Sequence, residues 1–296
     1  MSEVKKMTYT VDNAVIMAAG TSSRFAPISY ERPKALISVR GERLIERQIR
    51  QLQEVGIPEI IVVVGYKKEQ FYYLEEKFKV KIVENNDYLK RNNNSSIYAV
   101  RKYLNNTYIC SADNYFEVNP FECEVTDSYY AAVYSEGPTE EWCMQEDDNG
   151  FIKSVEIGGC DSWYMMGHVF WNQDFSHKFV KILEEEYDRP ETKGLLWESI
   201  FRNHLSELDM RIRKYESNQI FEFDTLEELR KFDPVYIDNS QSEIMENIAH
   251  QLSCHQKDMT SITALLDDYN TAIGFTFMMK GQQYKYLYQE RALGRI

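Results

Sequence analysis

Along the first hundred residues, apolar positions arrive in two alternating textures. Unbroken runs, NAVIMA at 13–18 and IIVVV at 60–64, are bounded by small or turn-forming residues and predict buried strands. Between them Leu44, Ile45, Ile49 and Leu52 recur at helical spacing and stop at Gly56, which predicts a helix. The alternation continues with a helix over 69–78, a strand over 80–83, a helix over 96–104 and a strand over 107–111. Strands and helices in strict alternation imply an α/β fold with a Rossmann-like, mostly parallel sheet, whose ligands gather beyond the carboxyl ends of the strands.

The texture changes at Tyr129. YYAAVY, FIKSVEIG and MMGHVFW are spaced like antiparallel strands, followed by helices over 175–187 and 195–204 and a strand over 210–215 that leads to IFEFDT. Pro234 and the polar run DNSQSE mark a boundary, so the reading is a catalytic domain over 1–233, with an antiparallel substrate-binding portion, and a small α+β appendage over 241–296. Within the appendage 243–253 predicts a helix, and DMTSITALLDDYNTAIGFTFMMKGQQYKYLYQE reads as a second helix followed by two strands, FTFMM and YKYLY.

Composition narrows the partners. A formal charge of −13 would repel a phosphate backbone and an anionic leaflet, so nucleic acid and membrane surfaces are excluded as expected partners. A small anionic substrate then needs a locally basic pocket. No apolar run approaches the roughly 20 residues that cross a bilayer, and MSEVKKMTYT lacks the apolar core of a secretion signal, so the expected location is the cytoplasm. Five scattered cysteines form no CxxC pair, which argues against a zinc site or a disulfide framework.

The densest chemistry lies in MAAGTSSRFAPISYERPKALISVRGERLIERQI. A strand feeding Ala18, Ala19, Gly20 and Thr21 gives a loop with almost no side chains, so backbone amides can approach phosphate oxygens and a base edge. Arg24 can grip phosphate bidentately, and Lys34, presented by Pro33, supplies a compact positive charge. The string resembles the signature of sugar-phosphate and choline-phosphate nucleotidyltransferases, a strand ending in AAGxGxR followed by PKxL and GxxLIE; Ser22 stands where that family usually has glycine. VVGYKKEQF, NNNSSIYAV, SADNYF, EEWCM, LLWESI and IFEFDT, in that order, narrow the resemblance to the bacterial CTP:phosphocholine cytidylyltransferase branch over 13–233.

The resemblance implies a role for each matching position. Asp113 in SADNY and Asp224 in FEFDT would hold Mg2+ beside the triphosphate, two carboxylates with phosphate oxygens and water completing an octahedral site. Asn93 and Ser96 would read the polar edge of cytosine, with helix capping by Ser95 or Ser96 as the rival reading. Trp142, Trp197, Glu198 and Glu222 would bind the choline cation, which cannot donate hydrogen bonds and is best held by aromatic faces backed by carboxylates. On one continuous strand, the two-residue spacing of Glu222 and Asp224 would point both carboxylates to one face. Ser135 stands where a close relative places an arginine, which leaves the grip on the substrate phosphate open.

The implied reaction joins CTP and a small phosphorylated amine, phosphocholine, giving CDP-choline and pyrophosphate. Its rivals keep the chemistry with phosphoethanolamine, aminoethylphosphonate or a sugar 1-phosphate as acceptor, or drop it for a non-catalytic nucleotide-binding module. The tail resembles the opening of a choline-kinase amino-terminal lobe, which would make the chain the front of a bifunctional enzyme. Its alternative is an accessory domain that packs on the catalytic domain or mediates a homodimer.

Overall fold

The apolar runs become the centre of a seven-stranded sheet in the computed structural model, which describes residues 8–267 and 271–296. The expectations that touch 1–7 and 268–270, the opening of MSEVKKMTYT and part of the tail string, lie outside the described residues. In chain order the strands are β1 (Asn13–Ala18), β2 (Ile60–Val64), β3 (Lys81–Glu84), β4 (Thr107–Ser111), β5 (Tyr129–Glu146), β6 (Ile152–Trp171) and β7 (Arg211–Tyr215). Their order across the sheet is β7-β5-β6-β4-β1-β2-β3. β4, β1, β2 and β3 run parallel, β6 is antiparallel to both β4 and β5, and β7 returns parallel to β5. This is the mostly parallel sheet with an antiparallel portion that the sequence implied.

One correction concerns that portion. FIKSVEIG and MMGHVFW are a single strand of 20 residues, paired with an 18-residue β5. Residues 159–164 lie between the two strings, and the small and polar ones among them would suit a break between strands. The ladder instead absorbs them through several register shifts, with Gly158 and Asp161 at positive φ.

The helices obey their apolar spacing. Leu44–Glu54 buries Leu44, Ile45, Ile49 and Leu52, and Gln173–Glu186 buries Phe175, Phe179, Ile182 and Leu183. Val15, Ile61, Val63 and Ile109 of the sheet share one core cluster with Trp171, Phe179, Trp197 and Phe201. A large apolar side chain buried there contributes roughly 1.5–3 kcal/mol.

By internal contacts the chain divides into two compact units, residues 1–20 with 45–222, and residues 21–44 with 223–296. The first contains the sheet. In the second, a four-stranded antiparallel meander runs β8 (Thr260–Leu266), β9 (Ala272–Met279), β10 (Gln282–Leu287) and β11 (Ala292–Arg295). β9 and β10 are the two expected strands, and the helix Glu243–Leu252 is also as read. β8 corrects the second expected helix: β-branched Thr260, Ile262 and Thr263 favour an extended chain, and Thr263 and Ala264 find ladder partners in Thr276 and Phe275.

The stretch after Pro234 is packed. Tyr236 is 1% exposed, its hydroxyl donates to Ser38 O, and buried Ser240 bonds Gln256 through both its amide and its hydroxyl.

Candidate active site

In the first unit the loops beyond the carboxyl ends of the strands are tied to one another. Tyr66 N donates to Ala19 O at 3.1 Å, joining the loops after β2 and β1. That approach requires Gly65, where a Cβ would lie 2.7 Å from the Tyr88 ring and 2.9 Å from Ala19 O. Ala18 and Ala19 are buried. Among the described residues nothing lies within 4 Å of a Cβ built at Gly20, so no neighbouring side chain demands that glycine.

Asp113 sits half-buried directly after β4, in the turn Ser111–Asn114. Gln48, 1% exposed on the helix Leu44–Glu54, donates from Nε2 to Ser111 O at 2.8 Å and to Asn114 O at 2.9 Å, bracketing Asp113. Gln51 and Arg47 hold Phe116 O from the same helix. Sequence reading missed Gln48, although a glutamine between Ile45 and Ile49 on the apolar stripe is a buried polar group that must find a partner.

The NNNSS segment is anchored at both ends. The helix begins at Asn94, so Ser95 and Ser96 lie in its first turn and do not cap it, which overturns the capping rival. Asn85 Nδ2 donates to Ser95 Oγ at 2.8 Å and Ser96 Oγ at 3.2 Å. Asn93 Oδ1 accepts from Trp197 N at 2.7 Å while its Nδ2 donates to Glu198 Oε2 at 3.1 Å. Asn93 therefore orients the LLWESI helix start, a role the sequence did not suggest.

Glu198, Glu222, Tyr130 and Tyr164 form the group with most chemical interest. Tyr130 OH lies 3.4 Å from Glu198 Oε1. Burial raises the Glu198 carboxyl to about 7, against the opposing hydrogen bonds from Asn93 and Tyr130. Glu222 pairs across a short ladder with fully buried Asn114, whose Nδ2 is 3.4 Å from Glu222 Oε2. Burial first, then the charges of Glu198 and Glu222, push the Tyr130 phenol well above its ordinary value. Tyr164 is raised by burial and by Glu141 and Glu222. Tyr130 and Tyr164 escaped the sequence reading because tyrosines on strands look like ordinary packing.

Of the two expected tryptophans, Trp142 is half-buried on β5 with the Arg202 guanidinium 5.3 Å from its ring centroid. Trp197 is 1% exposed, edge-on to Trp171 at 5.1 Å and stacked with Tyr130 at 5.7 Å. Its ring is core packing, and only its backbone amide serves the site.

In the second unit Arg24, Lys34 and Asp224 converge. Arg24 Nη1 lies 2.9 Å from Asp224 Oδ2, and Lys34 Nζ lies 3.3 Å from Asp224 Oδ1. Lys34 is 4% exposed, with its ammonium 5.9 Å from the Phe25 centroid, while Arg24 is solvent-exposed. The strand before Asp224 ends at Glu222, so strand alternation does not set its direction, contrary to the expectation for this pair. Its placement comes from the Thr225–Glu228 capping box of the helix Leu226–Phe232, with Glu228 Oε2 accepting from Asp224 N at 2.7 Å. Ser22 adopts φ 47° and ψ 43°, a left-handed conformation that glycine takes at least cost, which accounts for the glycine usual there.

Among the described residues no three His, Cys, Asp or Glu side chains form a metal-binding group. Thr21 is half-buried. Also among the described residues, no helix is long and apolar enough to cross a membrane.

Comparison with known proteins identifies the family. Residues 14–117 match the MobA-like NTP transferase domain. The choline-phosphate cytidylyltransferase of Streptococcus pneumoniae is 36% identical, covering 75% of this chain and 97% of its own length. The 2-aminoethylphosphonate cytidylyltransferase of Lancefieldella rimae is 38% identical, covering 80% of this chain and 98% of its own. The solved CTP:phosphocholine cytidylyltransferase from S. pneumoniae superposes with a TM-score of 0.73 at 36% identity, over 77% of this chain and 99% of that one. With the signature loop, the sheet order and these relatives in agreement, the chain belongs to the bacterial cytidylyltransferase family of nucleotidyltransferases and is an enzyme of that class.

Proposed function

We propose that the enzyme transfers CMP from CTP to phosphocholine with Mg2+, forming CDP-choline and releasing pyrophosphate in the cytoplasm. The observation that carries this reading is the grouping of Tyr130 and Tyr164 with the carboxylates of Glu198 and Glu222. Phenol and indole faces backed by negative charge suit a quaternary ammonium. The guanidinium over Trp142 indicates that this face accepts a cation.

In the proposed reaction a phosphocholine oxygen attacks the α-phosphorus of CTP. A new P–O bond forms there as the bond to the bridging oxygen of the β-phosphate breaks, and the electron pair leaves with pyrophosphate. The acceptor phosphate has a second pKa near 6 and is largely ionised at neutral pH, so no general base is needed. Catalysis then rests on positioning and on neutralising charge. Lys34 and Arg24 serve the triphosphate, Ala18–Thr21 offer backbone amides, and Asn93 and Ser96 are the residues that the family resemblance assigns to the base. Asp113 and Asp224 are the carboxylates assigned to Mg2+, which when bound neutralises charge developing on the leaving phosphates.

A second reading takes 2-aminoethylphosphonate as acceptor. Its support is the relative at 38% identity, the withdrawal of Trp197 into the core and Ser135 in place of an arginine. Pyrophosphate release, crossing CTP, UTP, ATP and GTP against phosphocholine, phosphoethanolamine, 2-aminoethylphosphonate and glucose 1-phosphate, decides between them. Turnover confined to CTP and phosphocholine is expected; preference for a primary amine would replace the first reading with the second.

A further inference from the structure

The segment that carries Arg24 and Lys34 has little structure of its own. It contains a helix of four residues, Ile28–Glu31, three-residue helical turns at Ser23–Phe25 and Lys34–Leu36, and a hairpin of two-residue strands. Helical pieces so short do not persist unaided, because nucleation costs more than one turn of hydrogen bonds returns. Their conformation must come from tertiary contacts, and within the second unit those contacts are made to residues 223–296.

The contacts are specific. Tyr30 stacks on buried Tyr288 with centroids 3.7 Å apart and planes 9° from parallel. Glu31 Oε1 accepts from Ile244 N at 2.9 Å in the first turn of the helix Glu243–Leu252, and Arg32 Nη2 donates to Gln241 O at 2.7 Å. Nearer Lys34, Arg40 N donates to Asp233 Oδ2 at 2.7 Å and its guanidinium lies 4.1 Å from the Phe232 centroid. Tyr30, Glu31 and Arg32 thus all engage residues beyond 240. The solved relative is covered over 99% of its length by only 77% of this chain.

We infer that residues 241–296 are a brace that holds the Arg24–Lys34 segment in its working conformation, with Tyr288 and the amino end of the helix Glu243–Leu252 as positioning elements. The consequence for catalysis rests on the proposed role of Arg24 and Lys34 at the triphosphate. A displacement of about 1 Å at such a group can cost 10²-fold in rate. Perturbing the tail should therefore act on kcat and on KM for CTP, while KM for the acceptor, bound by residues of the first unit, stays unchanged.

The test uses the full chain and two readouts, amide hydrogen exchange over 21–44 and steady-state pyrophosphate release. Tyr288→Ala should raise exchange over 21–44 and lower kcat/KM for CTP about tenfold or more, and Tyr288→Phe, which keeps the ring, should restore both. Tyr30→Leu breaks the same stack from the loop side. It should reproduce the effect while β9 and β10 keep their exchange protection, which separates bracing from unfolding of the tail. Unchanged exchange over 21–44 in both Tyr288→Ala and Tyr30→Leu would overturn the brace. Wild-type turnover in Lys34→Ala would instead remove the catalytic reading, and the exchange result would still decide the brace.

Discussion

Lys34 Nζ and Asp224 Oδ1 lie 3.3 Å apart, and the other oxygen of the same carboxylate meets Arg24 at 2.9 Å. One acidic side chain thus sits between the two cations assigned to the triphosphate. Lys34 is buried and Arg24 exposed, so removing each should have different consequences. Lys34→Ala is expected to lower kcat by about 10²-fold or more with the circular dichroism spectrum retained. Arg24→Ala should act mainly through KM for CTP, since its contribution is screened by water. Steady-state kinetics on both variants checks the contrast.

Glu198 should make acceptor binding pH-dependent. Its carboxyl is raised to about 7, so the folded protein holds this proton more tightly than an unfolded chain does. Its contribution to stability is fully present below the unfolded value and is lost as pH rises through about 7. Binding runs the other way. Below about 7 the group is neutral and a substrate cation loses its counter-charge, so KM for the acceptor should rise on acidification. The acceptor phosphate itself titrates near 6, and Glu198→Gln separates the two. The steeper part of the profile should vanish in that variant, and an unchanged profile would remove Glu198 from cation binding.

Gln48 supports Asp113 through two carbonyls. Gln48→Met preserves volume but leaves Ser111 O and Asn114 O without that donor, at a cost of about 1–3 kcal/mol. Urea unfolding should show the loss. If the Asp113 turn loosens as expected, half-maximal turnover will need more Mg2+ than in the wild type, which a metal titration measures directly.

Acid sensitivity should come in part from His168. The ring is 1% exposed, within 3.1 Å of Tyr129 OH and ringed by Tyr108, Phe116, Phe121 and Tyr215. Burial, with some help from Arg213, lowers its pKa from 6.5 to about 3. The folded state therefore binds fewer protons than the unfolded state between those values, and stability falls as pH drops through that window. His168→Phe should flatten that part of the stability profile, read as urea midpoints at pH 7 and pH 4.5. An equal decline in both proteins would assign the acid loss to carboxylates instead.

Legibility in the sequence followed the kind of force involved. Val15, Ile61 and Ile109 announced the parallel sheet because burial on both faces demands continuous apolar runs. The tail was harder: Thr260–Leu266 reads as a helix by spacing but is a strand because Thr276 and Phe275 pair with it, a contact invisible to a local window. Motif spelling picked out Lys34, Asp113, Glu198 and Asp224 as candidates, and the fold sets Lys34 beside Asp224 and Glu198 against Asn93 and Tyr130. It did not fix the burial of Trp142 and Trp197, both tryptophans beside glutamates, and only packing shows that the Trp197 ring lies in the core. Nor could it find Gln48, Tyr130 or Tyr164, whose significance lies in what the chain brings to them from tens of residues away.

The distribution of indoles gives the enzyme a built-in optical probe. Trp171 and Trp197 are sealed in the core, whereas Trp142 and Trp163 lie half-buried on the β5–β6 hairpin, beneath Arg202 and Lys214 respectively. The sealed pair supplies a blue-shifted emission indifferent to solutes, and the hairpin pair a redder one open to quenching. Replacing Trp163 with phenylalanine leaves a single solvent-accessible emitter, so that titrating an amine acceptor without CTP would report occupancy at Trp142 apart from turnover.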